Sequence, residues 1–276
     1  MEELKFFKKY LHTMIKGDNL NWHERNSGNL TYRLTEEEVR EASPFFQSTD
    51  RHYDLPMEVS GLAGDVFLVT GSGKYFMNAL IDTKEVVGFC KVSENGKAYE
   101  IVWGLENENM PTSELPSHLL IHQQLKEVKE GNRTVYHCHP THLNIMTYVN
   151  PYAKSEDSYE FSAKLWKYAT EASVFVPKGV ALLKWMMPGS VEIGEESSQL
   201  LKEFNMVCWV HHGVFAAGPN PDETLGMIHV AEKSAEIYVK INSMNLPEIN
   251  TITKENIVDL LNTFGISGNP KVIEKL

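Results

Sequence analysis

An α/β fold, with helices packed on a large mixed or mainly antiparallel sheet, is predicted by three features of this 276-residue sequence. Runs rich in β-branched and aromatic residues recur along the chain, the first four with little helix between them, and the later ones alternate with segments of helical periodicity. A doubly wound parallel sheet would need a crossover between every pair of neighbouring strands, and the first half of the chain has no room for them.

Taken in order, the opening segment from Phe6 to Asn21 carries Phe7, Tyr10, Leu11, Met14 and Ile15 at helical spacing and ends near Gly17. Strands are expected at Asn29–Leu34, Asp65–Thr70, Val86–Val92, Tyr99–Trp103, Thr134–His139, Ala172–Val176 and Met206–His212. Helices are expected from Glu114 to Lys129, Asp157 to Thr170, Glu192 to Phe204, Pro221 to Met244 and Lys254 to Phe264. The fourth of these is the best specified: Asn220 sits as N-cap, Pro221 takes the first helical position and Glu223 completes a capping box. Thr35 to Gly64, with Pro44 and Pro56, reads only as connection. No repeat and no Pro/Gly/Ser linker interrupts the chain, so a single domain over residues 1–276 is expected.

Composition narrows the function. With 42% hydrophobic and 23% charged residues the chain is neither collagenous nor disordered. Its 26 Lys and Arg against 37 Asp and Glu give a net charge of −11 with no basic block, which argues against nucleic acid or a lipid surface as partner. Cys90, Cys138 and Cys208 are odd in number and far apart, as reduced thiols in a cytoplasmic protein would be. No apolar run reaches signal-peptide or membrane-spanning length, so a cytoplasmic location is expected.

Five of the 11 histidines fall between His118 and His142. His137 and His139 flank Cys138 at the end of a strand-like run, and the period of two puts both imidazoles on one face. Two neutral nitrogens aimed at one spot suit a borderline divalent cation, but a catalytic site draws a third ligand from another element. His211 and His212, at the end of a later strand, supply a candidate, and alternation alone allows either one. His118 and His122, at i and i+4, read as helix-face histidines, since the H-E-x-x-H motif is absent. Glu114 lies at a helix entry with Thr112 or Ser113 as N-cap. On its own it is an acidic residue favoured by the helix dipole; beside a cation it can move a proton. The loops Asn26-Ser27-Gly28-Asn29 and Thr70-Gly71-Ser72-Gly73-Lys74 offer backbone amides, hydroxyls and carboxamides of the kind that bind a phosphate, although neither matches a P-loop.

Together these residues resemble the class II aldolase and adducin head family. The likeness rests on Asn26-Ser27-Gly28-Asn29-Leu30, Thr70-Gly71-Ser72-Gly73, Pro111-Thr112-Ser113-Glu114, His137-Cys138-His139 and His212-Gly213. It extends to Glu24-Arg25-Asn26, Trp103-Gly104-Leu105, Glu171 and Ala231-Glu232-Lys233-Ser234-Ala235. The resemblance implies a three-layer αβα domain around a predominantly antiparallel sheet and a homotetramer with active sites at subunit boundaries. It implies Zn²⁺ held by His137, His139 and His212. It further implies reversible aldol cleavage of a phosphorylated sugar through a metal-stabilised enediolate, with Glu114 as acid/base. Asn26, Gly28, Asn29, Ser72, Gly73 and Ser113 would line the phosphate and dihydroxyacetone end, and Glu171 would reach a neighbouring subunit's site near the aldehyde. Two departures stand out: Ser27 occupies a position that is often Gly, and His211 is an extra histidine beside the expected ligand. A scaffold of the adducin kind would have no chemical need for the histidine and Glu114 set, and a zinc hydrolase would release phosphate or amine in place of a triose phosphate.

Overall fold

The computed structural model describes residues 1–47, 49–129, 131–149, 151–246 and 250–276. Its strands are β1 (Asn29–Arg33), β2 (His52–Asp54), β3 (Val66–Thr70), β4 (Val87–Val92), β5 (Ala98–Gly104), β6 (Thr134–Cys138), β7 (Val180–Leu183), β8 (Met206–Trp209) and β9 (Gly213–Gly218). Its helices are α1 (Lys5–Asn19), α2 (Glu36–Ala42), α3 (Thr83–Val86), α4 (Leu115–Val128), α5 (Thr141–Met146), α6 (Ser158–Trp166), α7 (Thr170–Phe175), α8 (Val191–Glu203), α9 (Pro221–Ser243), α10 (Lys254–Thr263) and α11 (Pro270–Glu274). The strands form one mixed sheet in the order β2-β5-β4-β3-β1-β6-β9-β8-β7. Two compact units are interleaved along the chain: Met1–Cys138 with Met187–Lys202 and Ala217–Thr224, and His139–Met186 with Glu203–Ala216 and Leu225–Leu276.

In the first unit β2, β5, β4, β3, β1 and β6 pair antiparallel throughout. Alternation sends successive side chains to opposite faces, and both faces are covered, so β1, β3 and β6 are buried along their whole length. On one face Phe7 of α1 stacks on Phe89 at 6.0 Å and meets Trp103 edge-on at 5.6 Å, while Tyr10 donates to the Leu30 carbonyl at 2.5 Å. On the other face Phe67, Val69, Cys90 and Ile101 pack with Leu115 and Leu119 of α4. Helix, sheet and helix therefore form three layers here. The connection expected over 35–64 contains order of its own: Thr35 and Glu38 form a reciprocal capping box that starts α2, and β2 edges the sheet against β5.

In the second unit β7 runs parallel to β8, and β8 antiparallel to β9. The expected strand Ala172–Val176 is instead most of α7. A five-residue, mostly apolar run carries no decisive period, and burial decided the matter. Ala172 packs with Trp166, Ile257, Leu261 and Val272, while Phe175 is exposed, which is a one-sided helical pattern. The strand comes after Gly179, whose φ of +82° is a left-handed turn open to glycine; a Cβ there would lie 2.4 Å from Ser162 Oγ. Ser162 and Ser158 of α6 bond the backbone of Val180 and Leu182 and so fasten that strand to its helix.

The short helix α5, just after His139, is held from α9. Glu232 is buried and accepts from the backbone N–H of His142 at 2.9 Å, its Nδ1–H at 2.8 Å and the N–H of Leu143 at 2.9 Å. A carboxylate at a helix N-terminus satisfies donors that have no intrahelical partner and complements the dipole. Replacing Glu232 by Ala should destabilise the protein by about 1–3 kcal/mol, the usual consequence of orphaning buried donors. A lower urea midpoint at unchanged m-value is the expected reading, and an unchanged midpoint would show that the carboxylate is dispensable.

Candidate metal centre and acid/base site

Three loops converge because β1 lies between β3 and β6. Thr70 at the end of β3 takes the N–H of Leu30 on its Oγ1 at 3.2 Å and gives its carbonyl to the N–H of Thr112 at 2.8 Å. Ser72 N–H bonds the Met110 carbonyl at 2.8 Å, and Gly71 bridges Pro111. Asn26 Nδ2 comes within 4.0 Å of the point a Cβ on Gly73 would occupy, which places the two small-residue loops side by side. Gly73 has φ +69°, and Ser72 and Ser113 are exposed around it. Gly28 has φ +76°, and a Cβ there would lie 2.2 Å from the His23 ring and 2.8 Å from the His137 carbonyl. Ser27 is not among the residues with positive φ, so a side chain at that position is accommodated.

Asn29 is the meeting point. It is paired with His137 across β1 and β6, and its Nδ2–H donates to Glu114 Oε2 at 2.7 Å. Glu114 is itself the N-cap residue of α4; neither Thr112 nor Ser113 caps that helix, because the chain turns helical only at Leu115 and Pro116. Thr112 Oγ1 instead receives the Glu114 N–H at 3.3 Å. The Glu114 carboxylate is 7% exposed and stands 3.6 Å from His137 Nε2. Burial pushes its pKa above the usual carboxylate range, and the hydrogen bond from Asn29 draws it part of the way back.

One nitrogen from each of His137, His139 and His212 lies within 4.8 Å of the others, the one such group among the described residues. His137 is buried and the other two are half-buried; three imidazoles are a donor set that fits a cation held by three protein ligands with an open position. His139 lies one residue past β6 and His212 in the turn between β8 and β9. His211 is turned elsewhere: its φ is +64°, its side chain is exposed and its ring lies 4.1 Å from Tyr148. Glu171 is exposed on α7, in a shallow depression shared with Ala169, His229, Val230 and Lys233.

One histidine at the site went unread in the sequence. His23 is buried, with Nδ1 2.9 Å from the Ser27 carbonyl and Nε2 2.6 Å from the Tyr136 hydroxyl, so it braces the Asn26–Asn29 loop; a single histidine carries no spacing by which to find it. His118 and His122 do lie on one face of α4, but that face is interior. His118 Nδ1 is 2.8 Å and His122 Nε2 2.9 Å from Thr31 Oγ1, and His118 Nε2 bonds Asn29 Oδ1. Burial pushes the His118 pKa down to about 3 and His122 well below its ordinary value.

With this geometry in hand, comparison with known proteins is decisive. A family model described as "Class II Aldolase and Adducin N-terminal domain" matches residues 10–239. The chain belongs to this family. It is 42% identical over 247 residues to the rhamnulose-1-phosphate aldolase of Escherichia coli O81 (strain ED1a), covering 89% of this chain and 88% of that one. Identity to the enzyme of the same name from Citrobacter koseri is 43% over the same length. Among solved structures, a sugar-phosphate aldolase from Thermotoga maritima aligns with TM-score 0.73 and 26% identity over 86% of this chain and 94% of that one. An L-fuculose 1-phosphate aldolase aligns with TM-score 0.60 at 16% identity over 94% and 95%, a likeness of fold. The protein is thus a class II, metal-dependent aldolase, a carbon–carbon lyase. Among the described residues no helix is long and apolar enough to cross a membrane.

The buried histidines carry a pH signature. Folded His118 stays neutral down to about pH 3, whereas unfolded histidine takes up a proton below about pH 6.5. The unfolded chain binds more protons between those limits, so stability should fall as pH falls through that window, by about 1.4 kcal/mol per pH unit for each such histidine. Urea titrations from about pH 6.5 to about pH 5 should show this slope, reduced by one proton's worth in His118→Gln; identical slopes would mean that His118 is protonated in the fold.

Proposed function

We propose that this protein reversibly cleaves L-rhamnulose 1-phosphate to dihydroxyacetone phosphate and L-lactaldehyde in L-rhamnose catabolism, with Zn²⁺ as the metal. The reading rests on one observation above others: a buried carboxylate, Glu114, stands 3.6 Å from the first of three convergent imidazoles in a chain 42% identical to rhamnulose-1-phosphate aldolase. His137, His139 and His212 would hold the cation, which supplies Lewis acidity to the carbonyl and neighbouring hydroxyl oxygen of the ketose. In the cleavage direction the bond between C3 and C4 breaks, the C4 hydroxyl passes its proton to water as the aldehyde forms, and C3 gains one. Glu114 delivers the C3 proton. Its Oε2 is engaged by Asn29, so Oε1 is the oxygen that carries it. Burial raises its pKa, the direction that favours general acid/base work by a carboxyl group.

Asn26, Gly28, Asn29, Ser72, Gly73 and Ser113 are assigned to the phosphate and dihydroxyacetone end. The adjacency of the 26–29 and 70–73 loops, the positive φ of Gly28 and Gly73 and the exposed side chains of Ser72 and Ser113 support this. Glu171, exposed on its helix, is assigned to the aldehyde end of a neighbouring subunit's site in a homotetramer. Residues 1–276 are read as one domain: the two units are interleaved in sequence and a single family model runs through both.

The test is dihydroxyacetone phosphate release from L-rhamnulose 1-phosphate by protein as purified, after chelation, and after Zn²⁺ is restored. Release should vanish and return. Glu114→Gln should keep its metal while turnover falls on the order of 10²–10⁴-fold, the usual share of a positioned acid/base. Failure of zinc-loaded, folded protein to release the triose phosphate would overturn the substrate assignment, and retained turnover in Glu114→Gln would remove that residue from the chemistry.

A further inference from the structure

We propose that His118, Thr31 and His122 form a one-way hydrogen-bond relay that fixes which end of the Asn29 carboxamide faces Glu114, so that His118 is a positioning residue for the acid/base carboxylate. The proposal rests on the role given to Glu114 above, but its direction follows from donor and acceptor chemistry alone. An ionised carboxylate only accepts, so Asn29 must present Nδ2–H to Glu114 Oε2. The other end of the amide, Oδ1, then faces His118 Nε2, and because Oδ1 only accepts, Nε2 carries the proton. A fully buried, neutral His118 keeps a lone pair on Nδ1, which accepts from the Thr31 hydroxyl at 2.8 Å. That hydroxyl has no second proton, so its oxygen must accept from His122 Nε2–H at 2.9 Å.

The far end checks the direction independently. Neutral His122 with its proton on Nε2 has a bare Nδ1, and Nδ1 of His122 is buried with no hydrogen-bond partner among the described residues. Reversing every bond would place an N–H there. A buried orphan donor is rarer and costlier than an under-used acceptor. Both ends of the relay thus select the same orientation. If the Asn29 amide rotated by half a turn, its oxygen would stand 2.7 Å from Glu114 Oε2, a contact tolerable only with an extra proton between them. The histidine pair on α4 consequently acts through Asn29 to hold the carboxylate in place.

Two readouts test this. In zinc-loaded protein labelled with ¹⁵N at histidine, two-bond ¹H–¹⁵N correlations distinguish the ring tautomers, and His118→Gln and His122→Gln assign the peaks by their loss. Both rings should be neutral and protonated on Nε2; a proton on Nδ1 of either ring, or an imidazolium, would overturn the relay. In kinetics, His118→Leu should lower kcat about 100-fold, the scale of an ångström's misplacement of a reacting group. His118→Gln, which keeps an N–H at the same place as Nε2, should recover most of that loss with the same folded stability as His118→Leu. Thr31→Val should lose about 10-fold where Thr31→Ser does not, and this pair serves if the leucine variant does not fold. Equal losses in His118→Leu and His118→Gln, or none in either, would overturn the positioning role. Tautomers as stated in an enzyme that cleaves no sugar phosphate would leave the relay standing and remove the aldolase reading.

Discussion

The site depends on a buried carboxylate having a donor. Glu114 is almost wholly withdrawn from water, and an ionisable group in that position must be hydrogen-bonded or lose its charge. Asn29 supplies the donor, and it can do so because β1 lies between β3 and β6, with Asn29 in register with His137. A shift of one residue in that register would turn Asn29 to the opposite face and empty the place beside Glu114. The pairing of three strands therefore governs where the Glu114 carboxylate stands.

The same register explains the small residues around it. Gly28 follows the His23 brace and passes the His137 carbonyl so closely that no Cβ fits. Gly73 needs no such close fit, yet takes a left-handed φ that turns the loop after β3 back toward Asn26. Glycine at one position answers a steric demand and at the other a conformational one. Between them runs a stretch of exposed backbone and hydroxyls suited to an anion, next to imidazoles suited to a cation. A phosphorylated sugar with adjacent oxygens presents both kinds of partner.

Much of this was legible from residue order. The two-residue spacing of His137 and His139, the helix cap at Asn220 and the wide apolar face of α1 are local signals, and each appears where expected. The capping box at Thr35 and Glu38 was equally local and went unread beneath the irregular stretch around it. Ala172–Val176 was ambiguous in kind, since a short, mostly apolar run fits either a strand or a buried helical turn until the neighbouring Trp166, Ile257 and Leu261 are in place. Alternation left His211 and His212 equivalent, and the difference between them is not local: the His212 ring nitrogen groups with those of His137 and His139, while His211 has a left-handed backbone and its ring lies against Tyr148.

The sequence by itself determined the chemistry available: which side chains can ligate, which can move a proton, which loops can approach a phosphate, and the helix-and-sheet grammar that carries them. Those are properties of residue type and short-range spacing, and short-range sterics and periodicity suffice to express them. Only the tertiary structure decided which of those groups meet. Asn29 and Glu114 are 85 positions apart, and Thr31 and His122 are 91 apart. Whether His118 is a solvated helix-face residue or a neutral link to a carboxylate depends on which strand covers α4. Proton positions in such a relay follow from the donors and acceptors that each nitrogen meets, and they meet only once the chain is folded.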